Sequence, residues 1–358
     1  MLLVEFLMRS PGRLHVRLVL GAVSAWLLIV HAAAAQQMPV QLIMDALANA
    51  NASVVGIRVT AAEDARSAET LGQRRRGSGV LIGQDGLVLT IGYLMLEAEQ
   101  IEIVTQDNKT VPARAVAYDL ATGFGLLRPL LPLPRAMTEH TVSLGATQEL
   151  QPGDPLMAVT GPQPNDDGDI AMTRLVSKRS FSGTWEYHID TALFTSPPIM
   201  ASGGHSGAPL FNQKGELVGI GSLFVSDATG ESPRVPGNMF VPVDLLRPIL
   251  GELQQSGMSQ KSRRPWLGLT SSDQSGRIQV MRVSKDSPAD LAGLSSGDVV
   301  MAVDGAPVAT LEAFYKKLWD RSAPDAEITL TVRQGEDVKS IVLQAEDRML
   351  TLKKPSSI

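Results

Sequence analysis

The chain has 358 residues, 44% hydrophobic and 19% charged, with a formal net charge of −5 and no cysteine. Such a length provides for two or three domains, and the balance of apolar and charged residues is that of a globular protein. The acidic balance argues against nucleic acid as a partner, and without cysteine neither a disulfide framework nor a thiolate metal site can be part of the design.

The first stretch carries Arg9, Arg13 and Arg17, an apolar run of 13 residues from Leu18 to Val30, and Ala33-Ala34-Ala35 before Gln36. This is the pattern of a secretory leader with an A-x-A cleavage site. The competing reading, a membrane anchor, needs about 17 to 25 apolar residues. Residues 1–35 are therefore expected to be a signal peptide, and its removal to leave no stable membrane anchor. Export to a bacterial periplasm follows most simply.

Val40, Leu42, Ile43 and Leu47 predict a short helix over 39–48, and Val54 to Thr60 reads as a strand. Residues 61–76 read as a polar insertion ending in Arg74-Arg75-Arg76. A hairpin over 78–90 and strands at 101–105, 111–118 and 124–127 describe a barrel. A second set at 155–160, 173–178, 186–189, 208–211 and 217–224 describes another. Asn165-Asp166-Asp167-Gly168-Asp169 has the acidic look of a calcium loop but lacks its downstream glutamate, which leaves a solvated hairpin tip and no expected metal. A helix is predicted over 244–255, capped by Asp244, with Pro248 at the edge of its first turn. The polar, lysine-bearing run 258–263 reads as a linker.

The most informative stretch is Gly203-Gly204-His205-Ser206-Gly207-Ala208-Pro209-Leu210-Phe211. A serine between glycines in a tight turn exposes its hydroxyl while backbone N–H groups, here those of Gly204 and Ser206, converge as an oxyanion hole would require. The turn nearly matches the G-x-S-x-G elbow of α/β-hydrolases. That elbow needs a helix after it, and here Leu217-Val218-Gly219-Ile220 continues as a strand.

The turn instead resembles that of trypsin-fold proteases of the HtrA (Deg) family. Gly77-Ser78-Gly79-Val80-Leu81-Ile82 with Asp85-Gly86-Leu87-Val88-Leu89-Thr90 is similar to the family's first-barrel hairpin, and Asn238-Met239-Phe240-Val241-Pro242-Val243-Asp244 to its last strand. From Arg264 the chain resembles a PDZ domain, in Trp266-Leu267-Gly268-Leu269, Ser287-Pro288-Ala289, Ala292-Gly293-Leu294, Gly297-Asp298-Val299-Val300 and Asp304-Gly305. Thr310 would cap a helix whose Leu311, Phe314, Tyr315 and Leu318 line a groove. The resemblance implies a mainly β protein. Two six-stranded trypsin-like barrels would occupy 36–257, followed by the linker 258–263, a small α+β PDZ domain over 264–349 and a tail, 350–358. It also implies that Leu267, Gly268 and Leu269 bind a peptide carboxylate, and that 61–76 could touch a neighbouring subunit if it is not simply solvated.

In this family a histidine and an aspartate would serve Ser206 as base and orienting acid. The matching positions hold Tyr93 and Gly123. Asp119 lies four residues before Gly123, on the approach to a turn; His205 is adjacent to Ser206 in a turn where neighbours diverge; His188 and His140 read as structural or surface residues. The expectation is an exported HtrA-like protein that binds unfolded polypeptides or protein C-termini in envelope protein quality control, without a cofactor. It would act as a homotrimer or alongside an active relative. The alternative is an active serine endopeptidase using Ser206 with a non-standard base.

Overall fold

The computed structural model describes residues 40–200, 205–321 and 323–352; the expected leader and Gly204 lie outside them. Helix α1, Val40–Ala52, precedes the first barrel, formed by β1 (Val54–Ala61), β2 (Arg74–Leu81), β3 (Val88–Ile91), β4 (Ala98–Val104), β5 (Thr110–Tyr118) and β6 (Phe124–Pro129). They close in the order β1-β2-β3-β6-β5-β4. The two-residue period of a strand explains the closure. Val55, Ile57 and Val59 of β1 share one buried cluster with Ile101 and Ile103 of β4, while the alternate residue Val54 belongs to a different cluster.

The second barrel comprises β7 (Pro155–Val159), β8 (Ile170–Gly183), β9 (Tyr187–Ser196), β10 (Pro209–Phe211), β11 (Leu217–Val225) and β12 (Gly237–Pro242), closed as β10-β11-β12-β9-β8-β7. Leu89, Ile91, Phe124 and Leu126 of the first barrel join Phe194, Phe211, Ile220, Met239 and Val241 of the second in a single buried cluster. The two barrels thus share a core, and the loops around it are held at fixed separation.

Two expectations need correction. Arg74–Arg76 is not the end of a loop: it opens β2, with Arg75 buried and its neighbours exposed. The helix over 244–255 is broken into a single 3₁₀ turn, Val243–Leu245, and α2, Leu250–Ser256. Pro248, with no N–H to give, lies in the gap. Asp244 caps no helix; its carboxylate accepts from the Thr147 N–H at 2.9 Å.

After α2 the chain passes through 259–264 to β13 (Pro265–Trp266), β14 (Leu269–Ser272), β15 (Ile278–Val283), the short helix α3 (Pro288–Leu291), β16 (Val299–Val303), β17 (Ala306–Pro307), α4 (Leu311–Trp319), β18 (Glu327–Gln334), β19 (Asp337–Gln344) and β20 (Glu346–Asp347). The main sheet runs β14-β15-β16-β18-β19, so β14 is an edge strand. Thr310 caps α4, its Oγ1 accepting from the Ala313 N–H at 3.2 Å, and Leu311, Phe314, Tyr315 and Leu318 are all buried. No helix among the described residues is long and apolar enough to cross a membrane.

Candidate functional site

The structure brings Ser206 and Tyr93 together where the barrels meet. Tyr93 rides on the 3₁₀ turn Gly92–Met95 that follows β3. Arg75 holds this turn, its Nη1 donating to the carbonyls of Tyr93, Leu94 and Leu96 at 3.2, 3.3 and 2.7 Å, and its Nη2 to Ser67 Oγ at 2.8 Å. Burial lowers the guanidinium pKa, opposed by the nearby Glu97 charge. The middle member of the arginine triplet therefore does a structural job that its two exposed neighbours hid in the sequence.

Ser206 is fixed from both sides. Its carbonyl accepts from the Ser78 N–H at 2.8 Å, and the next N–H, of Gly207, donates to Gly221 O at 2.7 Å. Gly207 has φ +78°, and a Cβ there would lie 2.0 Å from Ser78 O and 2.4 Å from Thr90 Oγ1. Only glycine meets both demands. Gly207→Ala is expected to lower stability by about 3 kcal/mol or more, from backbone strain and a clash with an atom that cannot swing away; thermal unfolding with calorimetry measures it.

The Tyr93 hydroxyl lies 2.6 Å from Ser206 Oγ and 2.7 Å from the Ser222 carbonyl oxygen. A phenol has one proton, and a carbonyl can only accept. When Tyr93 donates to Ser222 O, the Ser206 hydroxyl must donate to the phenol oxygen to satisfy the short contact. Burial pushes the Tyr93 pKa up to about 12, against a smaller lowering by its bond to Ser206. At pH 7 only about 10⁻⁵ of such a group is phenolate, so a neutral phenol faces Ser206.

No carboxylate stands behind Tyr93 at position 123. Gly123 has φ +86°, its carbonyl accepts from the Gly92 N–H at 2.7 Å, and the space where a side chain would start faces the Tyr187 hydroxyl at 3.3 Å. Asp119 is committed to other partners, and it is fully buried. It accepts from Thr122 Oγ1 at 2.6 Å, Ser259 Oγ at 2.5 Å and Ser262 Oγ at 2.5 Å, and from the N–H groups of Thr122 and Ser259. Sequence reasoning missed this role, which ties the run 259–264 to the first barrel.

The histidines fall in separate places. His205 sits beside Ser206 with its pKa lowered by burial. His188 is held by Ser182 Oγ at 2.9 Å and by Asp190 at 3.3 Å, and His140 is exposed. His188, Asp190 and Glu312 offer ligand atoms within 4.8 Å of one another. A cation already sits there: Lys316 Nζ is 2.8 Å from Asp190 and 2.7 Å from Glu312.

The N–H groups of Leu267, Gly268 and Leu269 do converge on a carboxylate, and it is the chain's own. Glu186 Oε2 accepts from Leu267 at 3.1 Å, and Oε1 from Gly268 at 2.8 Å and Leu269 at 2.7 Å. Burial raises the Glu186 pKa, an effect that the three N–H groups and the Arg348 charge offset only in part. Glu186 had been read only as the start of a strand. Its φ of +59°, in the three-residue loop between Gly183 and Tyr187, is the left-handed slot that glycine or asparagine usually fills.

Residues 77–220 match the trypsin-like peptidase domain family and residues 265–344 the PDZ domain family. Among curated relatives, a probable periplasmic serine endoprotease, DegP-like, from Ectopseudomonas mendocina (strain ymp) is 29% identical over 246 residues, which cover 65% of this chain and 48% of that protein. The putative serine protease HhoA of Synechocystis sp. (strain ATCC 27184 / PCC 6803 / Kazusa) is 24% identical over 302 residues, covering 79% and 72%. The chain spans about half the length of the DegP-like relatives it matches. Of solved structures, the serine endoprotease from Yersinia pestis aligns with TM-score 0.51 at 22% identity, covering 85% of this chain and 97% of that one. The HtrA-type protease AlgW with tripeptide aligns with TM-score 0.51 at 20% identity, covering 88% and 98%. Two six-stranded barrels around a serine turn, a PDZ domain after them and relatives named from the same group agree: the chain belongs to the HtrA/Deg family.

Proposed function

We propose that this HtrA-type protein works in the periplasm by engaging polypeptides without cleaving them, as a chaperone, adaptor or regulator of an active relative. It would assemble as a homotrimer or with that relative. The observation that carries the reading is the Tyr93 hydroxyl, neutral at physiological pH, lying between Ser206 Oγ and Ser222 O. A serine becomes a nucleophile only when a base takes its proton, and here its partner already donates to a carbonyl. Losing triad members that act as a unit costs about 10⁶ in turnover, and an oxyanion hole alone recovers only about 10³ to 10⁴ over water. Binding by the cleft or the PDZ domain needs no proton relay.

The test is a fluorophosphonate probe and a casein digestion on the purified protein beside Ser206→Ala. Neither protein is expected to label or digest. Labelling that disappears in Ser206→Ala with the fold intact would overturn the reading and restore the endopeptidase alternative. If Tyr93 phenolate were the base in that case, labelling would climb about tenfold per pH unit up to its pKa near 12.

A further inference from the structure

The tip of the β8–β9 hairpin occupies the PDZ groove in the manner of a bound peptide. Glu186 supplies the carboxylate for the Leu267–Leu269 loop. Two residues earlier, Thr184 O accepts from the Ser271 N–H of the edge strand β14 at 2.8 Å, as an added strand would. From the opposite wall, the Tyr315 hydroxyl of α4 donates to Gly183 O at 2.8 Å and accepts from the Glu186 N–H at 3.2 Å. The tip thus touches the loop, the strand edge and the helix that together bound the groove. The left-handed Glu186 backbone is a local strain that these contacts offset.

We propose that this tip is a built-in competitor for the groove, a latch that a polypeptide C-terminus must displace before it can bind. The inference rests on the polypeptide-binding reading above and specifies its ligand: a chain end with a free α-carboxylate, whose oxygens can replace those of Glu186 on the same three N–H groups. Exchange of one carboxylate for another leaves the hydrogen-bond count unchanged. The tethered tip therefore wins through its effective concentration, and apparent peptide affinity falls by the fraction of molecules that are open. One further tie is buried, Arg264 Nη2 donating to Glu186 O at 3.3 Å, and opening must give it up; the others are weaker. Lys316 with Asp190 and Glu312, and Ser180 Oγ with Glu312 at 3.0 Å, lie at a partly exposed seam where ion pairs contribute little.

The experiment titrates the full-length protein into a fluorescein-labelled ten-residue peptide pool, with randomised apolar residues at its last three positions, by fluorescence polarisation. The pool is used with a free C-terminus and, separately, amidated. Glu186→Ala is expected to bind the free-acid pool at least tenfold more tightly than wild type. Glu186→Gln, which keeps the side chain's size, is expected to show a smaller gain and stands in should the alanine variant fail to fold. Amidated peptide should bind none of them. Equal affinity of wild type and folded variants would overturn the latch while leaving peptide binding intact. Binding by neither wild type nor variant would overturn the latch together with the chain-end ligand.

Discussion

Asp119→Ala is expected to destabilise the folded protein by about 3 kcal/mol and to release the segment that joins the barrels to the PDZ domain. The carboxylate is the common acceptor for Thr122, Ser259 and Ser262, and it is fully buried. Alanine leaves at least two buried hydroxyls and two N–H groups to find new partners without water, and each stranded donor costs about 1 to 3 kcal/mol, partly recovered by relaxation. Asp119→Asn keeps one acceptor and should fall between. Lys261 and Arg263 lie exposed on the same segment, whose Ser259 and Ser262 are held down. Limited trypsin digestion should therefore cut Asp119→Ala between barrels and PDZ domain several times faster than wild type, while chemical denaturation gives the loss in stability. Equal cutting rates would mean that the Arg264 contacts to Leu120 O and Trp319 hold the segment without Asp119.

Much of the fold was legible because its signals are local. Valine- and isoleucine-rich strands such as Val54–Ala61 declare themselves within a few residues, and so do the glycine turn around Ser206 and the Thr310 cap of α4. The reading that puts Tyr93 and Gly123 at the expected base and acid positions came from the chain alone, since motif positions count along it. What stayed hidden is long-range. Glu186 meets Gly268 across 82 residues, Asp119 meets Ser262 across 143, and Arg75 meets Leu96 across 21. No periodicity links such pairs. A charged residue among exposed neighbours, like Arg75, or at a hairpin end, like Glu186, reads as solvated until the fold supplies its partner. The broken helix at 246–249 is a different miss. A proline close to the start was allowed as harmless when it ends one turn and delays the next.

On the proposed non-cleaving reading, introducing a histidine at 93 and an aspartate at 123 is expected to yield no working relay, and to cost stability. In Tyr93→His with Gly123→Asp, the aspartate must adopt φ near +86°, tolerable for this residue type but unfavourable. Its Cβ would stand 3.3 Å from the Tyr187 hydroxyl, which already donates to Thr122 O at 2.6 Å and so has no proton to offer a carboxylate. A new charge would thus enter a half-buried site beside an oxygen lone pair. The histidine, for its part, gives up a hydroxyl that bonds both Ser206 and Ser222 O. Together these changes should lower stability by about 2 to 4 kcal/mol, from strain, a partly desolvated charge and lost hydrogen bonds. Casein digestion by the double variant should stay at the Ser206→Ala background, because a relay works only when base, acid and serine align within hydrogen-bond reach. Thermal unfolding and the digestion assay check the two halves separately. Digestion above that background would mean that only the side chains, and not the backbone at 123 or the packing of Tyr187, had departed from a working protease.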